Sequence, residues 1–435
     1  MKLYLYLLII LTIPICATSQ FLVNLPGDNN IYYDISISKK GNSIAHGRYD
    51  VSEPFDFDSG TEINIISDKS TEFLCSYDIS GNLNFAFGME DISPLGLGNG
   101  ALFPVSSVGV DDDENIYVTG IMLGWIDFDP SDEIKDLKTN SLNMQKGYLA
   151  SYDVEGNFRF LIDLGQTNLS KIHMEVAPSG NTYMAFSLIG VSDVICPATG
   201  TNLGFENGYT YALMSFDNQG DCRFANPYLE KSGFNSNTAA RISINGSEEV
   251  YLCNILFDDI DLDPGTEHFD FGVDTIQGEY FYIAKYDKEG NFTNASLICE
   301  NFNTVTFGYA YAFEAGNSGN CYISAQSAGT VNFDLQGGNS ITSVLPDMFL
   351  ASYSSDLSFR YIHSFGAPTI IDYDGSNAVP LDIVSTTKKD IILTGNFTGT
   401  KDFDPSEEVL NLSPSDDLRR SFVSPQKGVV ITMPF

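Results

Sequence analysis

Short stretches of alternating apolar and polar residues, separated by polar turns, recur along the whole chain. The plainest copy runs from Val105 to Gly165. Val108 and Val110 alternate with small residues, a polar turn follows at 111–114, and a second apolar stretch occupies 115–120. A long connection leads to a third stretch at 147–152, a turn at 153–157 and a fourth stretch at 158–162. Period-two alternation over four to eight residues bounded by Asp, Asn and Gly predicts strands joined by hairpins. The second stretch recurs at 42–45, 181–184, 249–252, 320–323 and 390–393, which makes six copies. The later hairpin recurs with Asp78 and Gly81, Asp217 and Gly220, and Asp287 and Gly290, and in divergent form at 351–358. Asp at the start and Gly three places on suit a type I turn closed by a residue with positive φ, so these residues are read as structural.

The long connection carries an acidic phrase. Two Asp flank an apolar residue at Asp56 and Asp58, Asp127 and Asp129, Asp261 and Asp263, and Asp402 and Asp404, with Asn332-Phe333-Asp334 as a variant and a degenerate copy around 194–200. Successive copies stand about seventy residues apart, the signature of an array of one supersecondary unit. Four antiparallel strands per unit, repeated radially, predict an all-β, six-bladed β-propeller of four-stranded antiparallel blades. The last repeat ends on a third strand at 428–432, and residues 21–27 read like the missing fourth, as comparison with 160–165 shows. The expectation is a ring closed by the N-terminal strand completing the last blade, which leaves no open array edge.

The phrases at 114–130 with 147–158, and at 260–265 with 282–292, resemble the SBBP-type secreted bacterial β-propeller repeats common in exported Bacteroidota proteins. The resemblance spans nearly all of the chain after the leader, and the third and fifth repeats depart from it in the acidic phrase. It implies a propeller and export, and no assigned activity. Family members often carry a C-terminal sorting domain that this sequence does not show, so the periplasm and the extracellular space both stay open.

Residues 1–19 read as a signal peptide: Lys2, an apolar run over 3–15, and Ala17-Thr18-Ser19 before Gln20. A lipoprotein anchor at Cys16 is disfavoured by the bulky Ile15. The remainder, 20–435, is expected to be a single propeller domain and a monomer. No later apolar stretch approaches the roughly 18 residues of a membrane span. With 57 Asp and Glu against 22 Lys and Arg, the net charge is −35. That excludes nucleic acid as a partner, because phosphate binding needs clustered Lys and Arg. Cys75, Cys196, Cys222, Cys253, Cys299 and Cys321 do not recur between repeats. They are expected to be mostly buried thiols, with one or two disulfides between neighbouring repeats.

Two constellations are candidates for chemistry. The eight paired aspartates Asp56, Asp58, Asp127, Asp129, Asp261, Asp263, Asp402 and Asp404 could hold Ca2+, a hard cation that takes carboxylate oxygens. Two carboxylates per loop are few for that ion, and capping of loop amides is the competing reading. The first strands, aligned, bring Asp34, His173, Glu175, Arg241, Glu314 and Asp382 to a central tunnel as a site for a cation or polar ligand, or as the lining of a water-filled channel. No GxSxG, HExxH, P-loop or GxGxxG motif occurs, and no other cofactor is expected. The expectation is therefore a non-enzymatic binding or scaffold protein of the envelope or extracellular space, with a protein or glycan ligand. A carbohydrate-active hydrolase or lyase with carboxylates at the tunnel mouth is the alternative, and a calcium-stabilised adhesion or structural protein a third.

Overall fold

The structure, a computed structural model, describes residues 6–8, 22–24, 31–48, 57–58, 70–93, 101–139, 145–166, 172–189, 195–196, 201–202, 209–229, 240–256, 260–265, 267–272, 279–302, 311–335, 337–365, 378–385, 391–397, 401–402, 411–412, 420–421 and 431–433. The described residues form strands and turns, with no helix among them. The chain divides into two compact units, Met1–Pro227 and Tyr228–Phe435.

The first unit holds three repeats. Ile31–Ile37, Ser43–Arg48, Ser70–Tyr77 and Leu83–Asp91 form the first sheet in sequence order. Ala101–Val110, Ile116–Leu123, Lys146–Tyr152 and Phe158–Gln166 form the second. Ile172–Val176, Thr182–Ile189, Tyr209–Phe216 and Cys222–Leu229 form the third. In the second unit Arg241–Ile244, Val250–Leu256, Glu279–Tyr286 and Phe292–Phe302 make the fourth sheet. Ala312–Ala315, Cys321–Asn332, Ser340–Tyr353 and Phe359–Phe365 make the fifth. The sixth repeat contributes Ala378–Ser385 and Ile391–Phe397, with Ile431–Met433 and Arg420–Ser421 both pairing to the latter. Among the described residues, five four-stranded antiparallel units, the fourth and fifth joined in one sheet, and part of a sixth are thus the units that the alternation predicts.

Apolar layers pack between consecutive sheets of each unit. Ile44, Leu74 and Met89 of the first repeat interleave with Val118, Phe128 and Tyr148 of the second. Tyr251 and Ile283 of the fourth meet Phe313, Ile323 and Phe349 of the fifth. Val250–Leu256 is buried at every position and loses the strict alternation of a one-faced strand. Fully burying one such side chain contributes about 1.5–3 kcal/mol.

The turns are built as expected. Asp153 Oδ1 accepts the amides of Glu155 at 3.0 Å and Asn157 at 2.9 Å, and the fourth residue, Gly156, has φ 84°. The ring of Phe85, on the outer strand of the preceding repeat, occupies the space where a Cβ on Gly156 would stand, 2.8 Å from its Cγ. Phe160 meets Gly220 in the same way one repeat later, at 3.0 Å. In the fifth repeat the sizes are exchanged: strand pairing puts Asn294 in the place of Phe85, and Leu357, buried at φ 68°, stands where Gly156 would. Glu114 also accepts a positive φ, of 68°, and its carboxylate takes the Lys40 amide at 3.3 Å and the Asn42 side-chain amide at 3.1 Å from the turn of the first repeat.

Two expectations change. Leu22–Asn24, read as the closing strand of the last repeat, pairs instead with Tyr6–Leu8. A partner a dozen or so residues away is entropically cheaper to reach than one at the far end of the chain. Cys16, the expected cleavage site at Ser19, and Asp56 and Asp404 lie outside the described residues. The disulfide is Cys196 to Cys222, within the third repeat rather than between repeats, with Cα atoms 5.7 Å apart. Cys75, Cys253, Cys299 and Cys321 are buried thiols. No helix among the described residues is long and apolar enough to cross a membrane.

Candidate functional site

Strand pairing sets the register of the first strands. Asp34 opposite His46, Ser107 opposite Thr119, His173 opposite Ala185, Arg241 opposite Cys253 and Asp382 opposite Thr394 occupy one row. Glu175 opposite Tyr183, Ser243 opposite Tyr251 and Glu314 opposite Tyr322 occupy the next, and the sixth member of that row is Val384, opposite Ile392. Asp382 therefore belongs with Asp34, two residues from the register that the sequence alone suggests. Residues 386–390 read Thr-Thr-Lys-Lys-Asp, without the glycine that Gly41, Gly180 and Gly319 place at the corresponding position of three other repeats, so nothing local fixes the count.

In the first unit these rows join neighbouring repeats. Asp34 Oδ2 accepts the Val108 amide at 2.8 Å and the Ser107 hydroxyl at 3.0 Å, and the same hydroxyl lies 3.3 Å from the Met174 carbonyl oxygen. Asp34 Oδ1 accepts the Ile35 amide at 2.9 Å. Burial raises the Asp34 carboxyl above its ordinary range, against the lowering effect of the Val108, Ser107 and Ile35 donors. His173 and Glu175 are half-buried on the third first strand, on either side of the buried Met174.

The second unit repeats the device with a longer side chain. Glu314 Oε1 accepts the Ser385 hydroxyl at 2.8 Å and its amide at 3.3 Å, and Oε2 accepts the Ser243 hydroxyl at 3.1 Å. The Ser243 oxygen in turn accepts the Ala315 amide at 2.9 Å. One carboxyl thus ties the first strands of the fourth, fifth and sixth repeats. Burial pushes the Glu314 carboxyl up to about 7, the Ser385 and Ser243 donors working against it and the Asp382 charge adding to it. Asp382 is exposed and accepts the amide of Ile383 at 2.9 Å, as Asp34 does with Ile35. The Arg241 guanidinium lies over the Tyr311 ring, 5.9 Å from its centre. Asp34, His173 and Glu175 belong to the first unit, and Arg241, Glu314 and Asp382 to the second.

The acidic phrases are tied down by their own carboxylates. Asp127 Oδ1 accepts the amides of Asp129 at 3.1 Å and Lys135 at 2.9 Å, and Asp129 Oδ1 that of Ser131 at 2.9 Å. Asp261 Oδ1 accepts Asp263 at 3.2 Å and Phe269 at 3.1 Å, and Asp263 Oδ1 accepts Gly265 at 2.8 Å. Asp261 Oδ2 lies 2.7 Å from His268 Nδ1, whose other ring nitrogen is 3.0 Å from Asp270. The Asp261 contact, then Asp270, raises the His268 pKa. Asp58 is half-buried beside the buried Phe57, and Asp402 sits in a short strand, Lys401–Asp402, paired with Asn411–Leu412. Among the described residues, no group of three or more His, Cys, Asp or Glu side chains is gathered to hold a metal ion. The phrases also grip the preceding repeat, since Asp127 pairs with Glu90 and Asn332 with Glu300 on the outer strands.

No known family's sequence profile matches the chain, and no curated protein matches it. Among solved structures, an α-L-arabinofuranosidase from Fusarium graminearum is similar over 86% of this chain and 89% of its own, with a TM-score of 0.36 and 10% identity. BamB from Moraxella catarrhalis is similar over 86% and 85%, with a TM-score of 0.31 and 8% identity. The polysaccharide lyase Uly1 is similar over 88% and 81%, with a TM-score of 0.40 and 8% identity. These likenesses are long but loose and assign neither topology nor activity.

Proposed function

We propose that the chain is an exported, non-enzymatic binding or scaffold protein built as a closed six-bladed β-propeller. Removal of residues 1–19 takes away the partner of Leu22–Asn24 and frees that strand to complete the last repeat beside Ile431–Met433. The observation that carries the binding reading is the occupation of the carboxylates. Asp34 and Glu314 each hold together first strands from different repeats, and the described acidic phrases hold their own loops, which are structural duties. A catalytic pair needs oxygens aimed at a substrate.

A hydrolase or lyase is the second reading, and one observation favours it. Glu314, held near 7 with the Asp382 charge acting on it, has the character of a general acid beside a second carboxylate. The test is incubation of the processed chain with neutral and acidic polysaccharides, following new reducing ends and unsaturated uronates. The binding reading expects neither product. Product that disappears in Glu314→Gln would replace it with the enzymatic one.

A further inference from the structure

The two compact units contain the same groove at equivalent junctions. In the first unit a cavity of about 570 Å³ lies between Phe85, Ala86 and Phe87 on the outer strand of the first repeat and Asp129, Glu155 and Phe158 of the second. In the second unit a cavity of about 540 Å³ lies between residues 294–297 on the outer strand of the fourth repeat and Asp334, Leu335, Asp356 and Phe359 of the fifth. Consecutive residues of one strand line each cavity. A strand presents consecutive residues to a space when its edge borders that space, because its faces show only alternate ones.

Those edges carry open hydrogen-bonding capacity. Leu83–Asp91 pairs along its length with Ser70–Tyr77, while on its other side, among the described residues, pairing is confined to Glu90 and Asp91. Phe292–Phe302 pairs along its length with Glu279–Tyr286 and, among the described residues, on its other side by strand pairing only through Glu300, with the Ile298 carbonyl oxygen taken by the Tyr353 hydroxyl at 2.6 Å. Alternate residues ahead of those bridges turn N–H and C=O groups into the grooves, the template for an added strand. Every charged side chain lining either groove is a carboxylate: Asp129, Glu133 and Glu155 in one, Asp334 and Asp356 in the other. Phenylalanine rings stand beside them, and the whole chain carries −35.

We propose that each groove takes an extended basic segment of a partner protein as an added β-strand. This deepens, and rests on, the reading of the chain as a binding scaffold. The backbone of the segment pairs with the open edge. Its Lys or Arg side chains lay their apolar stems on the Phe rings and meet the carboxylates at their tips. The duplication of the groove predicts two sites per chain.

The test is calorimetry of the full chain with a capped peptide that alternates lysine and threonine, beside its glutamate counterpart and a version N-methylated on alternate amides. Two equivalent sites are expected for the lysine peptide, none for the glutamate one, and weakening that grows with salt. N-methylation is expected to weaken binding at least about tenfold, or about 1.4 kcal/mol. Glu155→Lys and Leu335→Lys are each expected to remove one site, and the double variant both. The methylated peptide needs no variant, so the outcome stands even where a substitution unfolds the chain. Equal binding of the methylated peptide, or no saturable binding of the lysine peptide, overturns strand addition. Neutral oligosaccharides that bind where the peptide does not would overturn this inference and leave the scaffold reading intact. Polysaccharide turnover would overturn the scaffold reading itself.

Discussion

The Tyr152 hydroxyl donates to the carbonyl oxygen of Phe128 at 2.9 Å, fixing the acidic phrase of the second repeat to the last residue of its third strand. The same bond joins Tyr77 to Phe57 at 2.9 Å and Tyr286 to Leu262 at 3.0 Å, while the Tyr353 hydroxyl lies between the carbonyl oxygens of Phe333 at 3.1 Å and Ile298 at 2.6 Å. All four tyrosines and all four apolar residues are buried. The phrase is thus a folded staple: its apolar residue enters the core, its carbonyl takes a tyrosine, and its aspartates cap the loop. Tyr152→Phe leaves the Phe128 carbonyl without that donor, and a loss of about 1–2 kcal/mol is expected in chemical denaturation. An unchanged midpoint and slope would show that the bond contributes nothing net.

Phe85 and Gly156 form one packing unit that the fifth repeat rewrites as Asn294 and Leu357. Gly156→Leu alone meets the Phe85 ring and a φ of 84°, and is expected to cost more than about 2 kcal/mol. In the pair with Phe85→Asn the steric part is expected to vanish, giving a coupling energy above about 0.5 kcal/mol in a double-mutant cycle. Strict additivity of the two changes would refute the contact.

Glu314 makes stability depend on pH in a direction opposite to a salt-bridged acid. Its folded value of about 7 lies above its ordinary 4.5, so between these values the native state holds a proton that the unfolded state has lost. Stability is therefore expected to fall as pH rises from 4.5 to 7 and to level off above that. The contribution is on the order of 3 kcal/mol in full. Glu314→Gln is expected to flatten this part of the profile and to melt no lower than the parent at alkaline pH. Thermal unfolding of both chains across that range decides it, and parallel profiles would sink the assignment.

The carboxylates of the second and fourth acidic phrases accept loop amides, so calcium has little to add. Melting temperatures of the chelator-treated chain with and without millimolar calcium are expected to coincide. A clear upward shift with calcium would make these aspartates ligands.

His268 is held between Asp261 and Asp270, and its pKa is raised. A raised histidine contributes stability that is complete below its unfolded value near 6.5 and is lost as pH rises through its folded value. Ring-proton resonances of His268 are expected to titrate above 6.5 and to move down in Asp270→Asn. A titration unmoved by that substitution would show the Asp270 contact to be without effect.

The sequence by itself determined the units: six copies of a strand pattern, Asp-x-x-Gly turns and apolar-centred acidic phrases. Each of these is a local device. A turn closes over about four residues and an Asx cap over two, so the signal for Asp153 and Gly156 is complete within a few positions. Tertiary structure decided which residues meet across repeats. Glu314 finds Ser243 and Ser385 some seventy residues away on either side. The register that brings Ser385 there is set by strand pairing in a repeat whose residues 386–390 contain no glycine. The exchange of Phe85 and Gly156 for Asn294 and Leu357, and the two matching grooves, are likewise properties of packed neighbours. Shape complementarity between distant segments depends on volumes and edges that no single stretch encodes.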